Sequence, residues 1–181
     1  MTNKDLIMQY VDTGLGIPRY QFDKLSSSDK KTYLRKMLIA IEQEPSKAEY
    51  YHGELPYETQ LKMVKKNPNN VGFIQSEEIQ KSVLNYYGEL IKYIKNPSKE
   101  LQLAALKLHG EHIKHIENPS EEVQMAAIQA PNDSVGMVIS FIENPSEEVQ
   151  MAAIKKNSFA MRNIKNPTEK VVALYDQLYK K

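Results

Sequence analysis

The sequence predicts an all-α fold, in which an N-terminal helical cap precedes a short right-handed α-solenoid of about six helix-pair repeats of about 22 residues. The first supporting observation is an exact duplication, because the thirteen residues IENPSEEVQMAAI occur at Ile116–Ile128 and again at Ile142–Ile154. A self-match at a fixed period of this length is the sequence signature of a repeat architecture. The second observation is a set of four Asn-Pro pairs spaced 22, 26 and 22 residues apart, with asparagines at Asn96, Asn118, Asn144 and Asn166.

Residues 1–54 do not match the repeat, and we expect them to form the helical cap. Largely apolar residues predict a short helix over Asp5–Val11, and the glycines Gly14 and Gly16 end it because glycine interrupts helices. Proline suits the first turn of a helix, so a second short helix is predicted over Pro18–Leu25. In repeat proteins, a polar cover of this kind shields the apolar side of the first repeat.

A longer amphipathic helix is predicted to follow within the cap. Ser26–Asp29 is rich in residues that cap helix N-termini, and apolar residues then recur at three- and four-residue spacing as far as Ile41. A further helical turn is predicted over Lys47–His52. Three short helices are compatible with a DNA-binding helix-turn-helix, but nearby acidic residues nearly cancel the basic charge, so a capping bundle is preferred. The polar side of the long helix carries Lys30, Lys31, Arg35 and Lys36.

Residues 55–181 carry the repeats. Two weaker copies, Glu58–Asn67 and Ser76–Gln80, precede the four Asn-Pro units, which gives about six units in total. The last segment, Val171–Lys181, is expected to cover the C-terminal end of the stack. The apolar residue four places after each Asn-Pro proline forms an inward column, which comprises Leu101, Val123, Val149 and Val171.

Each unit is predicted to contain two helices, termed A and B. In the fifth unit, Asn144 is expected to cap helix A, which spans Pro145–Lys156 with the proline in its first turn. Asn157 is expected to end this helix, because asparagine tolerates the left-handed conformation found at helix ends. Helix B is short, over Phe159–Lys165. Helix A is apolar nearly all round, so its surface is buried only when neighbouring units stack on it.

The pattern NPSEEVQMAAIKKN, followed by a short second helix, resembles α-solenoid repeats of the HEAT-like and leucine-rich-variant kinds. In those families an Asp/Asn-Pro turn precedes a Glu-Val-Arg helix, and glutamine replaces the arginine here. Lys66–Asn69 is similar to the Asn-Pro junction of the leucine-rich variant, and similar short repeats occur in uncharacterised bacterial and phage proteins. The resemblance covers about 120 residues. It implies a fold, whereas solenoids serve many functions.

Composition argues against several classes of protein. The 181-residue chain has a net charge of +1, so no global field draws it to nucleic acid or to an acidic membrane. It contains no cysteine, which excludes disulfides, thiolate metal sites and cysteine nucleophiles. No apolar run approaches the roughly 20 residues that span a bilayer. Because the first residues also lack the pattern of a signal peptide, a cytoplasmic location is expected.

The sequence also lacks a catalytic pattern, and we expect no enzymatic activity, no cofactor and no metal site. The histidines His109, His112 and His115 have a spacing that can place two imidazoles on one helix face, as a zinc site requires. Gly110 weakens that helix, however, and the glutamate base of the metalloprotease signature is missing. The Gly14-x-Gly16 fragment lacks the strand and the third glycine of a nucleotide-binding loop.

Stacking converts each repeat position into a column on the surface. Acidic residues recur in the first turns of the A helices, where they favour the helix dipole, and an acidic docking ridge is the alternative. Glutamine forms a second column, and each amide is expected to bond the backbone or a neighbouring repeat. A polar recognition strip is the alternative for this column, whose members are Gln60, Gln80, Gln102, Gln124 and Gln150.

Helix B carries the candidate partner-binding site. Aromatic residues and cations recur just before the last inward isoleucine of each unit. Such pairs can stack bases and neutralise phosphates, or can anchor a protein partner. Alternatively, the aromatic rings pack under the next repeat and the cations only solvate the surface. We define the helix B column as Phe73, Lys92, Tyr93, Lys114, His115, Phe141, Arg162 and Asn163.

The predicted function is non-enzymatic binding of another protein through one face of the array. The similarity to phage repeat proteins, together with the small size, suggests a phage-encoded factor that binds and inhibits or redirects a host protein, such as a defence component. The alternative is nucleic-acid binding along a basic–aromatic groove formed by helix B, as in HEAT-like DNA-binding solenoids.

Overall fold

The computed structural model describes residue 5 and residues 17–51, 53–131 and 135–180. Every regular element in these ranges is a helix, which confirms the all-α prediction. The predicted helix over Asp5–Val11 and the glycines Gly14 and Gly16 lie outside the described residues, apart from Asp5. Within the described part of the chain, no helix has both the length and the apolar character needed to cross a bilayer.

From residue 17 onward, the described α-helices are numbered α1 to α9 in chain order, and the described 3₁₀ helices, η1 to η5, alternate with some of them. The α-helices span Arg19–Asp23, Ser27–Gln43, Tyr57–Lys66, Glu77–Leu84, Lys99–Leu106, Glu121–Gln129, Val135–Ser140, Glu147–Lys156 and Glu169–Tyr179. The 3₁₀ helices span Pro45–Tyr50, Pro68–Phe73, Gly88–Tyr93, Gly110–His115 and Ser158–Asn163.

Two compact units make up the chain, Met1–Gln80 and Lys81–Lys181. The predicted division after residue 54 stays a prediction. We refer to the two compact parts as unit 1 and unit 2.

Unit 1 has its core around the amphipathic helix α2. The Ser26 hydroxyl accepts a hydrogen bond from the Asp29 amide, so the helix begins as the sequence predicts. Three side chains at four-residue spacing, Tyr33, Met37 and Ile41, are fully buried. Burial raises the pKa of the Tyr33 phenol. Further core residues in contact with this helix are Ile17, Phe22 and Leu25.

In this repeat the predicted end of helix A at Lys156 is confirmed, whereas its predicted N-cap and the predicted conformation of Asn157 are wrong. Ser146, not Asn144, caps α8, because its hydroxyl accepts the Val149 amide hydrogen at 3.3 Å. Serine and asparagine are comparable caps, and the serine lies after the proline. Asn157 is extended, with φ −154°, and its side chain caps η5 by accepting the Phe159 amide hydrogen. Helix B is therefore a 3₁₀ helix in this repeat, and its short length is confirmed.

In unit 2 the A helices contact one another in sequence order, as do the elements in the helix B positions. Helix α6 contacts α5 and α8, and α8 contacts α9; η3 contacts η4, and α7 contacts both η4 and η5. The close approach depends on glycine at two positions. A Cβ atom on Gly88 would lie 2.1 Å from the Ala105 carbonyl oxygen, and one on Gly110 would lie 2.1 Å from that of Ala127.

Polar side chains connect successive repeats of unit 2. Ser146 donates a hydrogen bond to Glu121 at 2.6 Å, and Thr168 donates one to Glu147 at 2.7 Å. The first-turn acids therefore bond the N-cap of the following A helix as well as favouring the helix dipole. Lys156 donates to the carbonyl oxygens of Ile128 and Ala130, at a helix end whose last carbonyls lack partners within the helix.

Candidate partner-binding site

The helix B column is largely on the surface. In unit 2 the rings of Tyr93 and Phe141 are 45% and 39% exposed, so they do not pack under the next repeat. The His115 ring is half-buried. Lys92, Lys114, Arg162 and Asn163 are exposed. Phe73 belongs to unit 1 and is half-buried there.

Three cations in unit 2 lie beside aromatic rings. The Lys92 ammonium is 5.2 Å from the centre of the Tyr93 ring, and the Lys114 ammonium is 6.0 Å from that of Phe141 in the next repeat. The Arg162 guanidinium is 5.1 Å from the ring of Phe159, which is 60% exposed. Contacts of this kind stabilise exposed sites by about 0.5–1 kcal/mol. They hold both partners of each pair at the surface, where a ligand can contact them.

Phe159 is a surface residue that the repeat pattern does not single out. It precedes Arg162 in the sequence and lies four residues before Asn163, the column residue of this repeat. Other repeats carry asparagine, glutamate or methionine at the equivalent place, so the aromatic character is specific to this repeat. An aromatic ring within reach of an arginine in the same short helix is the only signal that could have identified it.

Two lysine charges act on His115, in the central part of the column. Partial burial lowers the pKa of the His115 imidazole, and the nearby charges of Lys114 and Lys92 lower it further. His112 acts in the same direction, whereas Glu89 opposes them. The imidazole is therefore a poorer base than a free histidine, because burial and the neighbouring lysine charges both disfavour its protonated form.

Three equivalent clefts lie along the Asn-Pro junctions of unit 2, and column residues line each of them. The first has a volume of about 620 Å³ and is lined by Asn96, Pro97 and Gln102, with Lys92 and His115. We call it cleft 1. It also contains Lys95 and Glu117, so charges of both signs reach this cleft.

Clefts 2 and 3 repeat this arrangement further along the chain. Cleft 2, of about 520 Å³, is lined by Asn118, Pro119 and Gln124, with Phe141 from the column and the carboxylates of Glu117 and Glu143. Cleft 3, of about 110 Å³, lies between the Asn144 and Asn166 junctions and is lined by Gln150, Asn163 and Lys165. The sequence pattern predicted the column residues but not these clefts, because the junctions were expected only to cap helices.

The glutamine column lies at the clefts and has a structural role. The side-chain amide nitrogens of Gln102, Gln124 and Gln150 each donate a hydrogen bond of 3.0 Å to the proline carbonyl five residues earlier. Each glutamine therefore fixes the junction of its own repeat. The Oε1 atoms of Gln124 and Gln150 are buried and accept no hydrogen bond from the described part of the chain.

Gln60 in unit 1 uses both ends of its amide. Its nitrogen donates to the Leu55 carbonyl at 2.8 Å. Its Oε1 accepts the amide hydrogens of Gln75 and Ser76, at 2.8 and 2.7 Å. This glutamine therefore bonds the entrance of its own helix and the junction that follows it, which is the connection expected of a structural ladder.

The three histidines of the predicted spacing do not assemble a metal site. The Nδ1 atom of His112 lies 2.8 Å from the Ala105 carbonyl oxygen, and its ring stacks edge-on against His109 at 5.6 Å. Across the described ranges, no group of three histidine or acidic side chains is arranged to hold a metal ion.

A second basic surface lies in unit 1, on the polar side of α2. Lys31, Arg35 and Lys36 surround the aliphatic side chain of Ile39, which is 55% exposed. Lys30 instead donates a hydrogen bond to the Asp23 carbonyl at 3.0 Å and so fixes α1.

Comparison with the models of known protein families, with curated proteins and with solved structures gave no match.

Proposed function

We propose that this chain is a non-enzymatic protein-binding module, a short right-handed α-solenoid of about six repeats that binds a partner protein through the helix B column. The observation that carries this proposal is the set of exposed aromatic rings beside cations in unit 2. Tyr93, Phe141 and Phe159 each lie within 6.0 Å of a lysine or arginine. Aromatic residues and arginine are the side chains enriched among the energetically dominant residues of protein interfaces.

The solenoid part of the proposal is supported by the contacts within unit 2. A helices contact A helices, and elements in the B positions contact one another, in the order of the sequence. Such stacking aligns equivalent positions of successive repeats, so a partner can contact several column residues at once. The finer proposal, that a phage-encoded factor binds and inhibits or redirects a host protein, rests on the resemblance of the repeats.

Capture of a partner from a cell lysate, with and without nuclease, tests the proposal. We expect one protein to be retained in stoichiometric amount after nuclease treatment. We expect Tyr93→Ala and Phe141→Ala each to weaken its binding at least tenfold, since each removes an exposed anchor. Tyr86→Ala is the matched control, because Tyr86 is an exposed tyrosine outside the column. Equal losses from the control and the two column variants would exclude this surface.

Nucleic-acid binding is the second candidate, and the observation that favours it is the exposure of Lys92, Lys114 and Arg162 next to aromatic rings. Phosphate contacts make affinity fall steeply with salt, whereas an interface centred on aromatic rings is much less sensitive. Recovery of nucleic acid, together with loss of all captured protein on nuclease treatment, would favour this candidate over the first.

A further inference from the structure

Three lysines at or next to cleft 1 form no ion pair within the described ranges. Lys92, Lys95 and Lys114 are all exposed. The first two line the cleft, and the charge of Lys114 acts on His115, which lines it too. In contrast, the Lys99 ammonium lies 2.8 Å from a glutamate oxygen of the next A helix. Cleft 1 therefore presents cations that an acidic group from another molecule can reach.

The sign of the lining charge changes between neighbouring clefts. Two lysines, Lys92 and Lys95, line cleft 1 together with one carboxylate, Glu117. Its lining is therefore positive when His115 is neutral, and more positive when the imidazole is protonated. Among the described residues that line cleft 2 there are two carboxylates, Glu117 and Glu143, and no cation. A partner that occupies both clefts meets charges of opposite sign one repeat apart.

The backbone at both clefts is held in place. Asn96 lines cleft 1 and Asn118 lines cleft 2, and both adopt the left-handed conformation, with φ 50° and 48°, which asparagine tolerates better than most residues. Gln102 and Gln124 bond the proline carbonyls of the same two junctions, each at 3.0 Å. The charged residues that immediately precede these asparagines therefore extend from fixed junctions, which lowers the ordering cost of binding.

We propose that the partner protein carries an acidic side chain that binds in cleft 1 and a basic side chain that binds in cleft 2, one repeat further along the column. This inference rests on the proposed protein-binding function and specifies the charges of the partner. Neighbouring sites of opposite sign fix the register of a partner and repel surfaces of the wrong sign.

Aromatic rings lie beside both charged sites. The Lys92 ammonium is 5.2 Å from the centre of the Tyr93 ring, and Phe141 itself lines cleft 2. Lys114 approaches the Phe141 ring without lining this cleft. An arginine of the partner can pair with Glu143 and pack on the Phe141 ring, because its planar guanidinium suits both contacts.

A nucleic acid fits this charge pattern poorly. Its backbone carries a negative charge at every phosphate, so a strand that follows the column from cleft 1 to cleft 2 meets the carboxylates of Glu117 and Glu143. A protein surface can place an acidic and a basic side chain next to each other. The change of sign between the two clefts therefore favours a protein as the occupant.

His115 is an internal reporter for an acidic group in cleft 1. Burial lowers the pKa of its imidazole, as do Lys114, Lys92 and His112, whereas Glu89 raises it. A carboxylate that binds among these groups and the charges lining the cleft favours the protonated imidazole. The pKa of His115 should therefore be higher in the complex than in the free chain.

Selection from a display library of a small helical scaffold with a randomised surface, carried out on the full chain, tests the proposal. Binders are kept if Phe141→Ala weakens them, which restricts them to the column. We expect Lys92→Glu and Glu143→Lys each to weaken the kept binders by about tenfold, since each reversal replaces an attraction by a repulsion. Lys107→Glu should leave binding unchanged, because it reverses an exposed lysine that lines none of the three clefts.

Charge swaps identify the contacts. Reversal of one acidic residue of the binder should restore binding to Lys92→Glu, and reversal of one basic residue should restore binding to Glu143→Lys, because each swap forms the ion pair again. Exchanging the two combinations should not restore binding. Circular dichroism establishes that each variant is folded before its binding is compared, and an NMR titration follows the pKa of His115 in the free chain and in the complex.

Binders that tolerate Lys92→Glu or Glu143→Lys would overturn the proposal, as would swaps that restore nothing or an unchanged pKa of His115 in the complex. These results would leave the proposed function standing, because the binders would still depend on the column. Binding of a random-sequence single-stranded oligonucleotide that Glu143→Lys strengthens would also overturn the proposal and favour the nucleic-acid candidate. Absence of any binder that depends on Phe141 would exclude the column itself as a protein-binding surface.

Discussion

The contrast between Gln60 and Gln150 gives a quantitative prediction about stability. The two residues stand at the same repeat position and are equally buried, at 4% and 5% exposed. Methionine has a similar shape and helix propensity but can neither donate nor accept like an amide. Gln60→Met removes three hydrogen bonds, of 2.8, 2.8 and 2.7 Å. At a net value of about 1 kcal/mol each, the expected loss is about 3 kcal/mol.

Gln150→Met has opposing effects. It removes one hydrogen bond of 3.0 Å to the Pro145 carbonyl, which costs about 1 kcal/mol. It also removes the buried Oε1 atom that has no donor, whose burial itself costs about 1–3 kcal/mol. The expected change in the free energy of unfolding is therefore close to zero or slightly stabilising, and the two variants should differ by about 3 kcal/mol.

Native-state hydrogen exchange, resolved by residue, is the appropriate assay. The two glutamines lie in different compact units, and exchange reports the opening free energy of each unit separately. Equal destabilisation by the two substitutions would refute the reasoning, because it would mean that the Gln150 oxygen already has a strong partner. If Gln60→Met left the free energy of unfolding unchanged, the predicted loss of stability at Gln60 would be refuted. Water would then replace the three hydrogen bonds of Gln60 without loss.

Three further predictions concern packing, charge and helix ends. Gly110→Ala should destabilise unit 2 by several kcal/mol or prevent its folding, because its Cβ atom would lie 2.1 Å from a backbone oxygen. Gly136→Ala is the control in thermal unfolding. It should be tolerated, because the nearest atom to its Cβ would be 3.5 Å away. The lowered pKa of His115 means that the unfolded chain binds the proton more readily, so stability should fall as the pH drops below about 6.5 and through the folded-state pKa. Lys114→Met should raise that pKa in an NMR titration; an unchanged value would show that the Lys114 charge does not contribute to the lowered pKa. Lys156→Met should destabilise unit 2 by about 1–3 kcal/mol in urea unfolding, because two backbone carbonyls lose a charged donor.

Periodicity was enough to predict the helices and most of the core. The four-residue spacing of Tyr33, Met37 and Ile41 predicts which side of α2 is buried, and all three are buried completely. The ends of the helices were harder, because Asn144 and Ser146 are both good caps and only the backbone geometry selects the serine. Local rules of this kind rank Asn144 and Ser146 too closely to place the start of the helix, although they place its end at Lys156 correctly.

The state of each glutamine could not be predicted from the sequence. Gln60, Gln124 and Gln150 follow the same pattern, yet only the first has donors for its oxygen. The difference arises from two extra junction residues and a proline about 20 residues further along the chain, which face the glutamine only after the repeats stack. The exposure of Tyr93 and Phe141 likewise depends on how neighbouring repeats pack. The repeat pattern alone did not decide whether these rings are exposed or packed under the next repeat.

Site-specific photocrosslinking tests the central proposal most directly. A photoreactive phenylalanine analogue is placed at position 141 in the helix B column, and at position 86 as an exposed control outside it. Both proteins are irradiated in nuclease-treated cell lysate. We predict one dominant protein adduct from position 141 and none of that mass from position 86. No protein adduct from position 141, or the same adduct in equal yield from both positions, would contradict the proposal that this column binds a partner protein.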